Sequence, residues 1–213
     1  MFVRRKTVFL DFLRIHQAMA DKQKKEIIIT GFGGQGIIMA GRILGRSAAL
    51  GDRKESVFTQ SYGPESRGGA CSAQIVISEE PIRYPYVRHP DILICMSQAG
   101  YEKFIIQMTN ETVLLIDQDL VHPTLNKCDS FSIPATRMAE EMGRKMMANI
   151  IMIGFCTALT KVVSIDAALD SVAASVPKGT EETNIKSFKK GFDYGLAIIK
   201  GRNKKAAGKA GTV

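Results

Sequence analysis

At 213 residues, 45% of them hydrophobic and 23% charged, the chain holds enough apolar material for one buried core, which excludes a low-complexity or intrinsically disordered protein. No stretch reaches the about eighteen consecutive apolar residues that a membrane-spanning helix needs. The formal charge of +8 belongs to the ends: residues 1–25 carry +5 and residues 200–213 another +5, so the body stands at −2 and offers no basic face for nucleic acid.

Residues 1–25 read as a basic N-terminal extension. Phe2, Val3, Val8, Phe9, Leu10, Phe12, Leu13 and Ile15 make a short amphipathic pattern, but Asp11 and Arg14 interrupt any signal-type apolar segment. A chain beginning at Met19, M-A-D-K-Q-K-K, would reach the first strand in seven residues, so residues 1–18 are expected to be absent from the native protein.

Residues 27–36, I-I-I-T-G-F-G-G-Q-G, join a β-branched strand to a glycine turn, and the apolar periodicity after Gly36 reads as a helix. The spacing Gly31-x-Gly33-x-x-Gly36 fits G-x-G-x-x-G. In that motif the first glycine allows a tight turn, the second admits a ligand to the backbone and the third lets the helix lie close on the strand. Free N–H groups at the helix start would then hold a phosphate or carboxylate. Tight helix–sheet packing is the other reading of the same glycines.

Gly51 and Asp52 mark a turn, and residues 55–60 read as a second strand. Residues 61–69, S-Y-G-P-E-S-R-G-G, form a polar loop before an alternating strand at 70–78. Residues 79–90, with Pro81, Pro85 and Pro90, are irregular, and the apolar run 91–96 suggests a strand buried on both faces of a parallel sheet. Ser97 is a candidate N-cap for a helix through about Met108; residues 112–116 and 131–133 read as strands. From Thr136, a candidate cap, the pattern is helical: one helix holding Glu140 and Glu141, a buried helix at 148–159, an amphipathic one at 165–176 and a last one at 181–199. The Lys-, Ala- and Gly-rich residues 200–213 are expected to be a disordered basic tail. The whole pattern predicts an α/β fold: a mostly parallel, Rossmann-like sheet with flanking helices and a helical C-terminal half.

A dinucleotide site needs an acidic residue at the C-terminal end of the second strand to accept from the ribose 2′-OH. That end is Thr59-Gln60; Glu55 lies at the opposite end and Asp52 in the preceding turn. The fingerprint is incomplete, and a stand-alone nucleotide-binding or dehydrogenase-like protein is the alternative reading. At the same sheet edge, Arg67 offers a five-donor fork for phosphate or carboxylate, or pairs with Glu65 as a structural lock. Cys71, Cys95, Cys128 and Cys156 are dispersed and lack the C-x-x-C spacing of a zinc or iron–sulfur site. Cys95 and Cys156 read as reduced core residues, which suits a cytoplasmic protein. His16, His89 and His122 stand apart, so no complete catalytic set is visible, and Met138, Met142, Met146, Met147 and Met152 read as core or subunit-interface packing.

The stretches I-T-G-F-G-G-Q-G-I-I-M-A-G and T-Q-S-Y-G-P-E-S-R-G-G-A closely resemble the gamma subunit of the 2-oxoacid:ferredoxin oxidoreductases, and S-Y-G-P-E resembles the 2-oxoglutarate synthase branch. The likeness continues through Y-P-Y-V-R-H-P-D-I-L-I-C-M-S-Q-A-G-Y, I-P-A-T-R-M-A-E-E-M-G-R-K-M-M-A-N and V-P-K-G-T-E-E-T-N-I-K-S-F, covering about residues 26–199. The resemblance implies a complex in which a 2-oxoacid, coenzyme A and oxidised ferredoxin give acyl-CoA, CO2 and reduced ferredoxin. It implies alpha, beta and ferredoxin-like delta subunits as partners. Thiamine diphosphate, Mg and iron–sulfur clusters would be carried by those subunits, and no cofactor by this chain alone. It further implies that Gly31, Gly33, Gly34, Gln35 and Gly36, with Ser61, Tyr62, Gly63, Pro64, Glu65, Arg67 and Gly68, line the CoA side of the complex, with no catalytic residue in this chain. Cys71, directly after R-G-G-A, reads as a packed thiol, with a reactive thiol near CoA as the other reading.

Mass spectrometry of the protein purified from its own cells should find a first peptide starting at or just after Met19. Peptides from residues 1–18 would overturn that expectation.

Overall fold

The computed structural model describes residues 22–61, 70–124 and 128–210. Strand β1 (Lys24–Phe32) leads through the glycine turn into α1 (Ile37–Arg46), which widens into a π-helical turn at Ser47–Gly51. An antiparallel pair follows, β2 (Glu55–Ser61) and β3 (Ala70–Ser78). Then come β4 (Ile92–Cys95), α2 (Gln98–Phe104), β5 (Val113–Asp117), β6 (Asp129–Ile133) and α3 (Ala135–Glu141). The chain finishes with α4 (Ala148–Thr160), α5 (Ile165–Ser175) and α6 (Glu181–Ala210).

The sheet has six strands in the order β2-β3-β1-β4-β5-β6. β1, β4, β5 and β6 run parallel, whereas β3 is antiparallel to both β1 and β2. The mostly parallel sheet expected from the apolar strands is therefore observed, with one antiparallel strand inserted. The insertion changes the meaning of the incomplete dinucleotide fingerprint. β3, not β2, lies beside β1, with Gly31 opposite Cys71 and Phe32 opposite Ala70. A carboxylate at the end of β2 would stand two strands away from the glycine turn, so topology as well as sequence denies a ribose its usual acceptor.

Alternation along the strands divides the core. Ile27, Ile29, Ile92, Ile94 and Leu115 face α1, α3, α4, α5 and α6; Ile28, Leu93 and Leu114 face Tyr101 and Phe104 of α2, with Val87 and Val121 from the connecting segments. Every one of the 13 residues of α4 is buried, as expected for a helix apolar on all sides. The sheet covers one side and α6 the other. The second contact is backbone to backbone: a Cβ on Gly154 would overlap the Phe188 carbonyl, and one on Gly191 would overlap the Ile151 carbonyl.

Three boundaries differ from the sequence reading. Lys22 Nζ pairs with Asp91 at 2.7 Å and with Glu111 at 3.0 Å, and β1 begins at Lys24, so residues 22–25 belong to the folded body rather than to an extension. Met19 and the rest of residues 1–21 lie outside the described residues. At the other end α6 continues to Ala210, through residues expected to form a tail; alanine and lysine favour helix and carry it on. Thr136 is not a cap but lies in the first turn of α3, where its N–H and Oγ1 both donate to Asp117 Oδ2, at 2.8 and 2.6 Å. Ser97 does cap α2, its Oγ accepting from the Gly100 N–H at 3.1 Å.

Gly191→Ala should force α4 and α6 apart, costing about 3 kcal/mol and lowering the thermal midpoint by roughly 6–12 °C. Gly201→Ala, with no atom of the described residues outside its own helix backbone within 4 Å of the added Cβ, should instead hold or raise the midpoint, because alanine favours an exposed helix by about 0.5–1 kcal/mol over glycine. Calorimetry of the two variants against the parent checks both.

Candidate functional site at the carboxyl edge of the sheet

α1, which follows β1, packs on one face of the sheet, and α2, which follows β4, packs on the other. The chain thus diverges to opposite faces at the crevice between the carboxyl ends of β1 and β4, the place where open α/β sheets bind ligands. The glycine turn sits at that crevice. Phe32 is 41% exposed, and Gly33 and Gly34 are exposed with it. Gly34 has φ +90°, a conformation that suits glycine, and among the described residues no atom beyond its chain neighbours lies within 4 Å of where its Cβ would stand. The turn therefore exposes its backbone.

Gln35 closes the base of the crevice. Its Oε1 accepts from the Phe32 N–H at 2.7 Å, and its Nε2 donates to the Met96 carbonyl at 2.9 Å, tying the end of β1 to the end of β4. A Cβ on Gly31 would overlap this same Oε1 and crowd Ile37. The first glycine of the motif thus makes room for the glutamine clamp as well as for the turn.

Gly36 occupies the N-cap position of α1 with φ +74° and supplies no side chain to cap the helix, and no acidic residue stands in the first turn. Sequence reasoning expected this glycine to let the helix approach the strand. The space its Cβ would take is filled instead by the carboxamide of Asn149, from the start of α4. Close approach of α1 to the sheet falls to Gly41, whose missing Cβ leaves room for Ala73 at 2.6 Å and for the Phe58 ring at 2.7 Å. In the sequence Asn149 stands only as the end of the I-P-A-T-R-M-A-E-E-M-G-R-K-M-M-A-N stretch and as an interruption of the apolar run 148–159; its partner is 113 positions away, beyond the reach of any local signal.

The polar loop reaches the same edge at both of its ends. Ser61, exposed at the end of β2, pairs with Ser72, and Ala70 at the start of β3 pairs with Phe32 beside the glycine turn. Tyr62, Gly63, Pro64, Glu65, Arg67 and Gly68 lie outside the described residues, as does the suggested Glu65–Arg67 lock. At the end of β5, buried Asp117 is consumed by the fold: besides Thr136 it accepts from the Asp119 N–H at 3.1 Å.

Cys71, opposite Gly31, is buried, and burial raises its thiol pKa, which favours the packed reading over the reactive one. Burial likewise raises Cys95, pushes Cys128 up to about 11 and pushes Cys156 up to about 12. Cys71 and Cys156 belong to one core cluster and Cys95 and Cys128 to the other, so the cysteines do not fit an iron–sulfur cluster, which needs convergent thiolates. Among the described residues no group of three or more His, Cys, Asp or Glu is placed to hold a metal ion. No described helix is long and apolar enough to cross a membrane. Of the methionines, Met138, Met147 and Met152 are buried and Met142 packs against the same core, whereas Met146 is 74% exposed.

An open α/β sheet with a glycine turn at its crossover crevice defines a broad class, and comparison with known proteins narrows it. Residues 26–194 match the pyruvate ferredoxin/flavodoxin oxidoreductase family, and the chain belongs to that family. It is 51% identical to 2-oxoglutarate synthase subunit KorC of Methanocaldococcus jannaschii, over 81% of this chain and 94% of that one. It is 46% identical to the subunit of the same name from Methanothermobacter marburgensis, over 79% of this chain and 95% of the relative. The crystal structure of a keto/oxoacid ferredoxin oxidoreductase gamma subunit from Geobacter sulfurreducens superposes with a TM-score of 0.73 at 36% identity, covering 81% of this chain and 99% of that one.

Alkylation with iodoacetamide at neutral pH should leave Cys71, Cys95 and Cys156 of the folded chain unmodified until denaturant is added. Rapid modification of native Cys71, read by peptide mass mapping, would restore the reactive-thiol reading.

Proposed function

We propose that the chain is the gamma-type subunit of a 2-oxoglutarate:ferredoxin oxidoreductase, working in the cytoplasm within a complex that turns 2-oxoglutarate, CoA and oxidised ferredoxin into succinyl-CoA, CO2 and reduced ferredoxin. The observation that carries this reading is family membership over residues 26–194, with two relatives at 51% and 46% identity that bear the 2-oxoglutarate synthase name. Thiamine diphosphate with Mg would supply the carbanion chemistry and iron–sulfur clusters the electron path, both from partner subunits. Dispersed, protonated thiols make this chain a poor host for the clusters.

In this reading the chain's own part lies at the carboxyl edge. The exposed backbone of Gly33 and Gly34 and the uncapped start of α1 offer N–H donors to the phosphates of CoA. The Gln35 clamp holds β1 and β4 at the spacing those donors need. Ser61, Tyr62, Gly63, Pro64, Glu65, Arg67 and Gly68 complete the CoA-facing surface, with Arg67 as a guanidinium partner for phosphate.

Anaerobic native purification of the tagged chain from its own cells should recover alpha, beta and delta partners. The eluate should reduce a viologen dye in a CoA-dependent manner with 2-oxoglutarate, and far less with pyruvate or branched-chain 2-oxoacids. A complex preferring pyruvate would overturn the substrate assignment. Arg67→Ala should raise the apparent KM for CoA about tenfold, the effect of about one charge-assisted hydrogen bond, with assembly intact; an unchanged KM would remove Arg67 from the CoA surface.

A further inference from the structure

Among the described residues, Asn149 is the one wholly buried carboxamide that touches the glycine turn. It stands second in α4, the helix buried along its whole length, and it is 0% exposed. Its Nδ2 donates to the Gly36 carbonyl at 3.0 Å, and its Oδ1 accepts from the Ile150 N–H at 2.8 Å, a donor that α4 itself leaves without an intrahelical acceptor. The Gly36 carbonyl also accepts from the Ala40 N–H at 2.9 Å, the first helical bond of α1. Both lone pairs of that carbonyl are therefore engaged, one by α1 and one by α4. Gly36 in turn has no Cβ because the Asn149 carboxamide fills that space.

We propose that Asn149 is a positioning residue for the CoA-side donors: by fixing the Gly36 carbonyl to α4, a helix buried along its whole length, it sets the direction of the N–H groups at the turn and at the start of α1. Asn149 touches no substrate; it acts through Gly36. The inference rests on the CoA-side reading of the turn. The amide is suited to the role because it donates and accepts at once, whereas an aspartate of the same shape places an oxygen against the Gly36 oxygen and has no donor when ionised. The buried pairing has a large lever. α4 cannot shift without disturbing its backbone contact with α6 at Gly154 and Gly191, so the turn inherits the stiffness of the core.

The test uses the assembled complex carrying Asn149→Asp or Asn149→Ala in this chain, purified anaerobically, with co-purification of the partners confirming assembly; the alanine variant serves if the aspartate variant does not assemble. Two readings are made, amide hydrogen exchange across residues 32–40 and steady-state kinetics with varied CoA. In the parent complex CoA should slow exchange in residues 32–40. In the variants exchange there should rise in the absence of CoA, and the apparent KM for CoA should increase about tenfold with kcat within about twofold, the effect of misaligned rather than lost donors. Parent exchange that CoA leaves unchanged would overturn the CoA-side reading and the proposal with it. CoA protection in the parent together with unaltered variant exchange and KM would overturn the role of Asn149 alone. A fall in kcat with KM unchanged would also overturn it, since a positioning role at the CoA side predicts the opposite split.

Discussion

The backbone contact between α4 and α6 is the constraint on which the rest of this structure depends. A helix that is apolar on every side has no face to give to water, so it is stable only when enclosed. The sheet encloses one side of α4. Gly154 and Gly191 allow α6 to close the other at a distance that no side chain at either position would permit. Because α4 starts beside the glycine turn and ends beside the turn into β2, its placement fixes both ends of the sheet relative to the helical layer. Asn149 at one end reaches Gly36, and beyond the other end Ser164, the N-cap of α5, donates its N–H to Asp52 Oδ2 at 2.9 Å.

The inserted β3 is the second organising feature. By separating β2 from β1 it removes the geometry that a dinucleotide would use and brings both ends of the polar loop to the edge where the glycine turn lies. The parallel half of the sheet keeps the crossover crevice between β1 and β4. A common α/β scaffold thus keeps its crossover crevice while losing the geometry that would select a ribose.

Polar groups along the carboxyl edge share one habit. Gln35, Asp117 and Asn149 each spend their side chains on backbone groups of distant or turning segments: Gln35 on the ends of β1 and β4, Asp117 on the start of α3, Asn149 on the start of α1. A carboxylate or carboxamide hydrogen-bonded to backbone in this way rigidifies its surroundings. The edge is therefore cross-tied, side chain to backbone, at the ends of β1 and β4 and at the starts of α1 and α3.

Local pattern was enough for most of the fold. The β-branched run at 27–29, the apolar run at 91–96, the Ser97 cap and the buried helix at 148–159 are short-range signals, because alternation, helical period and capping depend on neighbours within about one turn. The glycine turn could be read for the same reason, and the long motifs identified the family. Strand order, the antiparallel insertion of β3 and the division of labour between Gly36 and Gly41 were not legible. The partners that decide them are brought together only by folding: Cys71 to Gly31, Asn149 to Gly36, Phe188 to Gly154. A glycine in sequence says only that a side chain is absent. What fills the vacated space, whether a ligand, a strand or the carboxamide of Asn149, is decided by tertiary packing, because excluded volume is a property of atoms close in space and not of residues close in the chain.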